Sequence, residues 1–180
     1  MKKFLIYSFA IMAALVTFSS CEEADSEKAW GVPVIYMPQA NYDPYVVPNR
    51  GTSEQTNLNY SIDEDRRLLN IFLGVYRAGL QELKEYSVDV AAENVKLDGT
   101  VELGGAYYEL PQTVVCPKGK RDVTFYLSVD LDYLISNPKK NFSLGVYIFN
   151  PKGGYELNPD LTMTTVRINT SELLEKEQLL

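Results

Sequence analysis

From Val32 onward the chain alternates apolar and polar residues, with turn-forming residues at short intervals. In the segment RDVTFYLSVD this alternation places four apolar side chains on one face: Val123, Phe125, Leu127 and Val129. A period of two is the pattern of a half-buried β-strand. The same period recurs in NLNYSID, LNIFLGVYR, YSVDV and NFSLGVYIF, and the shorter runs VPVIYMP, QTVVC and TMTTVRI complete the set. Short alternating strands at regular spacing predict an all-β fold, an antiparallel β-sandwich of about seven to eight strands.

Two short segments break the strand pattern and predict helical turns. In LDYLISN, Asp132 is the expected N-cap, because its side chain can accept a hydrogen bond from the backbone of the next turn. Residues 171–180, SELLEKEQLL, have Ser171 as a possible N-cap and predict either a short helix or a frayed tail. Gly104-Gly105 predicts a hairpin turn.

The first 20 residues have the layout of a secretory signal peptide. Lys2 and Lys3 precede an apolar stretch from Phe4 to Phe18, and Ser19-Ser20 supply small residues before Cys21. A membrane-spanning helix needs about 20 predominantly apolar residues, and this stretch is shorter. We therefore expect residues 1–20 to be cleaved.

The residues around the expected cleavage site resemble a bacterial lipoprotein box. The resemblance implies that Cys21 becomes the first mature residue and carries acyl chains that hold the protein in a membrane. The acidic residues that follow within 21–30 are similar to the signal that directs Bacteroidetes lipoproteins to the outer face of the outer membrane. A solvated tether is the simpler interpretation, and the two are compatible. The sandwich is then expected over residues 31–170.

Charge and residue usage exclude several classes of function. The formal net charge of −7 argues against a nucleic-acid partner, which would need clustered Lys and Arg. The chain has no histidine, which removes Ser-His-Asp and Cys-His nucleophiles and the commonest transition-metal ligand. If Cys21 carries lipid, Cys116 has no cysteine partner and is expected as a small buried side chain in the strand Thr113–Cys116.

The densest carboxylate groups are residues 63–65 and 130–132. Neither has the spacing of an EF-hand calcium loop, and the sequence does not place them as a glycosidase pair. Acidic turn residues are the stronger interpretation, with Arg66 and Arg67 forming exposed ion pairs with the first cluster. We expect no catalytic residues, no metal site and no cofactor.

Aromatic side chains are the remaining candidates for a binding site, because sugar rings stack on exposed Tyr and Trp faces. Trp30, Tyr42, Tyr45 and Tyr155 lie in segments rich in Pro, Asn or Gly, which predicts loops. Tyr107 adjoins Tyr108, and adjacent residues in a strand face opposite sides, so both cannot be core. These five residues (Trp30, Tyr42, Tyr45, Tyr107 and Tyr155) are the candidate ligand-binding residues. The alternative is that they are ordinary half-buried tyrosines of a β-protein.

The order of several motifs resembles a known family. VIYMPQA, KEYSVDVAAENV, YYELPQTVVCPKGK, RDVTFYLSVDLDYL and NFSLGVYIF follow one another as in the N-terminal domain of Bacteroidetes surface lipoproteins, domain of unknown function 1735. The resemblance implies an immunoglobulin-like sandwich and an adhesin-like role. It implies no catalytic residues, and within these 180 residues we expect no glycan-binding or glycosidase module of the kind that often follows in that family.

Two functions remain open from the sequence. The first is a non-catalytic, adhesin-like module on the cell surface that binds a glycan, which predicts an exposed aromatic cluster. The second is a structural lipoprotein that pairs with another surface protein, which predicts a long unpaired edge strand or a large apolar patch.

Overall fold

The computed structural model describes residues 33–49, 58–79 and 82–179. Within these residues the chain forms two β-sheets that pack against each other. The strands are β1 (Val34–Tyr36), β2 (Tyr45–Val47), β3 (Tyr60–Asp63), β4 (Leu68–Arg77), β5 (Tyr86–Glu93), β6 (Val101–Glu102), β7 (Tyr108–Glu109), β8 (Thr113–Cys116), β9 (Asp122–Asp130), β10 (Phe142–Lys152), β11 (Glu156–Leu157) and β12 (Met163–Ile168). The helices are α1 (Leu131–Ile135) and α2 (Thr170–Lys176), with 3₁₀ turns at Pro38–Tyr42, Gly105–Tyr107 and Pro159–Leu161.

The two sheets confirm the predicted all-β sandwich. The first sheet has the order β11-β1-β4-β9-β7, with β3 also paired to β4, and the second has the order β2-β12-β10-β5-β8, with β6 also paired to β10. The long pairings are antiparallel, whereas the short pairings β1–β11, β2–β12 and β6–β10 are parallel. The prediction missed these parallel pairings and three of the short strands that make them, β2, β6 and β11, whereas β1 lies in the predicted strand VPVIYMP.

The core follows the predicted alternation. On β4 the buried side chains are Leu69, Ile71, Leu73 and Val75, and their partners across β9 include Leu127 and Val129. Cys116 is fully buried at the end of β8, as predicted. Apolar burial of this kind is the main favourable contribution to folding.

One edge of β4 is shared by two short strands with a gap between them. β1 pairs with Tyr76 and Arg77 at one end, and β3 pairs with residues 68–71 at the other. The backbone N–H of Gly74 lies in the gap and donates to Oε1 of Gln39 at 3.2 Å. The side chain of Gln39, in the first 3₁₀ turn, thus accepts the hydrogen bond that a strand residue would otherwise accept at this position.

The predicted hairpin at Gly104-Gly105 is wrong. β6, before these glycines, pairs with β10 in the second sheet, and β7, after them, pairs with β9 in the first sheet. The segment is therefore a crossing between sheets, which the turn composition alone cannot distinguish from a hairpin.

Both helices begin earlier than predicted. Asp130, not Asp132, caps α1, with its Oδ1 accepting from the backbone N–H of Tyr133 at 2.9 Å. Asn169 precedes α2, so Ser171 is not the N-cap.

The C-terminal segment is a helix that belongs to the fold. Leu173 and Leu174 of α2 are fully buried, and the hydroxyl of Tyr60 in β3 donates to Glu177 just after the helix. No helix in the described part of the chain has the length and apolar character to cross a membrane.

Candidate functional site

Tyr42 and Tyr45 are brought together in one cleft with a volume of about 770 Å³. The Tyr42 side chain is 71% exposed, and Tyr45 is half-buried against the core. The described residues that line the cleft are Tyr42, Pro44, Tyr45, Val46, Asn49, Asn59, Arg167 and Asn169. The cleft thus combines aromatic surface with amide groups and one guanidinium.

The cleft lies where the edges of the two sheets meet. β2 is an edge strand of the second sheet and pairs in parallel with β12, with Val46 opposite Arg167. The turn before β2 is held in place by Asp43, whose Oδ1 accepts from the backbone N–H of Thr165 at 2.8 Å. Asp43 lies between Tyr42 and Tyr45 in the chain, so its hydrogen bond to Thr165 helps to fix the positions of both tyrosines.

Asn59 joins the two sheets beneath the cleft. Its side-chain amide donates to the backbone carbonyl of Val46 in β2 at 2.8 Å. Its backbone carbonyl accepts from the backbone N–H of Phe72 in β4. Its Oδ1 accepts from the backbone N–H of Asn49 at 3.1 Å. The floor of the cleft is therefore set by a hydrogen-bond network and not by loop packing alone.

A chain of polar contacts orients the guanidinium in the cleft. The Nε of Arg167 donates to Oδ1 of Asn169 at 3.1 Å, and Nδ2 of Asn169 donates to Glu172 at 3.2 Å. Burial raises the pKa of the Tyr45 hydroxyl, and a hydrogen bond with Asn59 opposes that rise. Tyr45 is consequently neutral at physiological pH and can donate or accept a hydrogen bond.

The cleft is far from the point where the described chain begins. The N–H of Ala78, just after β4, donates to the carbonyl of Val34, whereas the N–H of Phe72, in the first half of β4, donates to Asn59. Six residues of extended strand separate these positions by about 20 Å. The start of β1 and the floor of the cleft at Asn59 therefore contact β4 at separate points along its length.

Tyr107 lies at a different place and does not join the cleft. Its ring stacks on Tyr133 of α1, with ring centroids 3.6 Å apart. It borders a smaller depression of about 220 Å³ that is rich in charged side chains.

The arginines at this smaller depression already have carboxylate partners. Arg66 pairs with Glu109 at 3.1 Å and Arg67 with Asp132 at 2.6 Å, and all four side chains are largely exposed. The expected side-chain pairs with residues 63–65 are therefore wrong, because β7 and α1 bring closer carboxylates. Only the backbone N–H of Arg66 bonds that cluster, at Asp63.

Tyr155 is in a loop, as predicted, but it is buried and cannot present its ring to a ligand. Its hydroxyl accepts from Nη1 of Arg77 at 2.8 Å, and the guanidinium of that buried arginine lies over the ring, 5.3 Å from its centroid. Arg77 also donates to the carbonyl of Glu82 at 2.7 Å. Tyr155 holds a buried cation and is removed from the candidate surface.

The other candidates cannot be placed. Trp30, expected as an aromatic binding residue, and Cys21, expected as the lipid attachment site, lie outside the described residues. They remain predictions.

Asp130, Asp132 and Cys116 each have a structural partner. Asp130 caps α1 and Asp132 pairs with Arg67. No three His, Cys, Asp or Glu side chains are grouped to hold a metal ion in the described part of the chain. Burial raises the pKa of the Cys116 thiol, which lowers its reactivity as a nucleophile.

Sequence reasoning missed the polar half of the cleft. Asn49, Asn59 and Asn169 are in ordinary turn contexts, so nothing marks them as site residues. Arg167 could have been identified as an outward-facing residue, since it is the only charged residue in the strand segment TMTTVRI.

Comparisons with known proteins give structural likenesses at low identity. No family model matches the chain, and no curated protein matches it. A Bacteroides ovatus protein of unknown function is 19% identical, with a TM-score of 0.44 over 56% of this chain and 36% of that one. A candidate carbohydrate binding protein from the same species is 12% identical, with a TM-score of 0.43 over 76% of this chain and 36% of that one.

A third likeness is to a multidomain protein from Bacteroides ovatus that includes domain of unknown function 1735. It is 15% identical, with a TM-score of 0.35 over 59% of this chain and 35% of that one. This chain spans little more than a third of the length of each of these three proteins.

Proposed function

We propose that the protein is a non-catalytic, surface-exposed lipoprotein whose sandwich domain binds a glycan in the cleft beside Tyr42. The observation that carries the proposal is the 71% exposed Tyr42 ring standing over a cleft lined with three asparagines and an arginine. The proposal includes the outer-membrane, outward-facing location that the N-terminal sequence predicts.

The chemistry of the cleft suits a sugar. A pyranose ring has an apolar face of C–H groups that packs on an aromatic ring, and its edge carries hydroxyls that need donors and acceptors. The side chain of an asparagine offers both, and the arginine offers donors. Tyr42 supplies the aromatic face, and the amides of Asn59 and Asn169, which each make two hydrogen bonds within the protein, have one further N–H and one further oxygen lone pair for a sugar hydroxyl.

The alternative, pairing with another surface protein by strand addition, receives less support. The strands that end the two sheets in the described residues, β2, β7, β8 and β11, have four residues or fewer. The longer free edge in the described residues is that of β9 from Asp122 to Leu127, since β7 pairs with it only at Ser128 and Val129. Short edges offer few backbone groups to a partner strand.

The glycan proposal is tested by replacing Tyr42 with alanine in the full chain, solubilised in detergent, and measuring binding on a glycan array. Loss of the stacking surface is expected to weaken binding by about five- to thirtyfold, since aromatic contacts contribute roughly 1–2 kcal/mol. Tyr126→Ala is the matched control, because Tyr126 is 50% exposed on the first sheet and does not line the cleft. Wild-type protein that binds no glycan, or equal losses in the two variants, would contradict the proposal.

The anchoring proposal is tested separately with Cys21→Ala. The variant is expected to leave the membrane fraction and to lose incorporation of labelled fatty acid, because acyl chains supply the membrane affinity. If the Cys21→Ala variant incorporates no fatty acid and still stays in the membrane fraction, the anchoring proposal is wrong, and the glycan proposal is unaffected.

A further inference from the structure

Arg167 is the only charged side chain among the described residues that line the cleft. It lies between Val166 and Ile168, which are both 1% exposed, so its own side chain points away from the core. Its register partner on the edge strand is Val46, which also lines the cleft. The sequence of β12 therefore places a cation at the opening where an apolar or neutral residue would serve the fold equally well.

Arg167, which is partly buried, differs from the exposed Arg66 and Arg67 in its partners. Arg66 and Arg67 each face a carboxylate, whereas the hydrogen bond that Arg167 makes within the described chain is from Nε to the neutral Asn169. A guanidinium has five N–H donors in a planar fork, and the two terminal nitrogens match a carboxylate or a sulfate. That single bond uses Nε and leaves the paired terminal nitrogens for a ligand.

Two carboxylates in residues that adjoin or bond the cleft lining, Asp43 and Glu172, already have partners. One Asp43 oxygen accepts the N–H of Thr165, and one Glu172 oxygen accepts from Asn169. Neither side chain lines the cleft. Asn169 lies between Arg167 and Glu172 in the hydrogen-bond chain, so it orients the guanidinium without neutralising it.

From this arrangement the geometry points to a glycan that carries an anionic group, a carboxylate or a sulfate ester, which Arg167 binds while Tyr42 stacks on the sugar. The inference rests on the proposed function and adds the charge of its ligand. A cationic cleft residue is notable in a chain of net charge −7, because the overall charge would repel such a ligand unless a local cation attracts it.

The test uses the full chain in detergent on an array that presents uronate-, sialate- and sulfate-bearing oligosaccharides beside their carboxyl-reduced and desulfated forms. Wild-type protein is expected to prefer the anionic members and to lose affinity as salt is raised. Arg167→Gln is expected to lose at least about tenfold on those members, as for a charge-assisted hydrogen bond. Arg167→Lys is expected to recover only part, because it keeps the charge but not the fork.

The control is Arg66→Gln, which removes an exposed, paired arginine that does not line the cleft and should leave binding unchanged. Carboxyl-reduced and desulfated ligands distinguish the two sources of negative charge. Wild-type protein that binds neutral glycans as tightly as anionic ones, with no loss on the anionic members in Arg167→Gln, would overturn this inference and leave the proposed function standing. Absence of binding to every glycan would overturn both.

Discussion

Asn59 shows how much one buried polar side chain contributes to the position of the cleft. It is 8% exposed and makes three hydrogen bonds that involve β2, β4 and Asn49. Two of these use the side chain, so an alanine would leave the carbonyl of Val46 and the N–H of Asn49 without those partners. The orphaned groups, more than the lost bonds, set the cost.

We predict that Asn59→Ala lowers the free energy of unfolding by about 1–3 kcal/mol, as measured by urea denaturation. Asn41→Ala is the control, since Asn41 is exposed and its side chain makes one local bond, to the carbonyl of Pro38. That variant should change stability by less than about 0.5 kcal/mol. If Asn59→Ala and Asn41→Ala lower the free energy of unfolding equally, Asn59 does not hold the two sheets together.

Tyr42 and Tyr155 differ in a property that the sequence does not predict. Tyr42 and Tyr155 both lie in turn-rich segments, yet one is exposed and the other is buried. The difference is Arg77, which lies 78 positions before Tyr155 and bonds its hydroxyl. Local composition predicted loops at Tyr42, Tyr45 and Tyr155. Tyr155 is in a loop, whereas Tyr42 ends a 3₁₀ turn and Tyr45 begins β2. Exposure depends in addition on a partner that only the folded chain brings near.

Among the connections between strands, the turn after β10 depends on two adjacent glycines with similar backbones. Gly153 has φ +95° and Gly154 has φ +82°, in the region that disfavours side chains. A Cβ on Gly153 would lie 2.7 Å from the carbonyl oxygen of Glu85, whereas a Cβ on Gly154 meets nothing within 4 Å. A side chain would strain the backbone at both positions, but only at Gly153 would its Cβ also clash with a neighbouring atom.

Replacing Gly153 with alanine should therefore destabilise the protein by about 2–5 kcal/mol, the sum of left-handed strain and overpacking. Gly154→Ala should cost only about 1–2 kcal/mol, because strain acts alone there. Thermal unfolding of both variants measures the difference. A Gly154 variant that is as unstable as the Gly153 variant would show that the close contact with Glu85 is not decisive.

Elements with several periods of alternation were predictable, and very short ones were not. β4 and β9 are long enough for a period of two to be recognised. β6, β7 and β11 have two residues each, so they contain no period, and tertiary contacts alone define them. The cap of α1 was misplaced by two residues because Asp130 and Asp132 are equally good candidates until the end of β9 is known.

At the scale of the whole molecule, α2 closes the core and is not a tail. Leu173 is fully buried and belongs to the main core cluster, although residues 171–180 alone left a frayed tail open as an alternative. We predict that Leu173→Ala lowers the free energy of unfolding by about 2–5 kcal/mol, the usual cost of truncating a buried leucine. Leu179→Ala, at a partly exposed position after the helix, should cost clearly less in the same denaturation experiment.

The fold class was predictable and the cleft was not, for one reason. An all-β sandwich follows from periodicity, which is local and repeats along the chain. The cleft is made by three segments that are distant in sequence, around Tyr45, Asn59 and Arg167. Their proximity depends on the pairing of β2 with β12 and on the Asn59 joint, neither of which leaves a pattern in the sequence.

The distance between the cleft and the start of β1 has a mechanical consequence. If the chain is held upstream of Pro33 and a ligand is held at the cleft, tension runs along the strands and pulls β1 lengthwise past β4. Hydrogen bonds of an antiparallel pair lie across the strands, so such a load is shared among them and does not open them one at a time. Single-molecule pulling between these two points should need more force than pulling that peels β1 sideways. If the proposed anchor and the proposed glycan site are both correct, flow would load the domain in this direction.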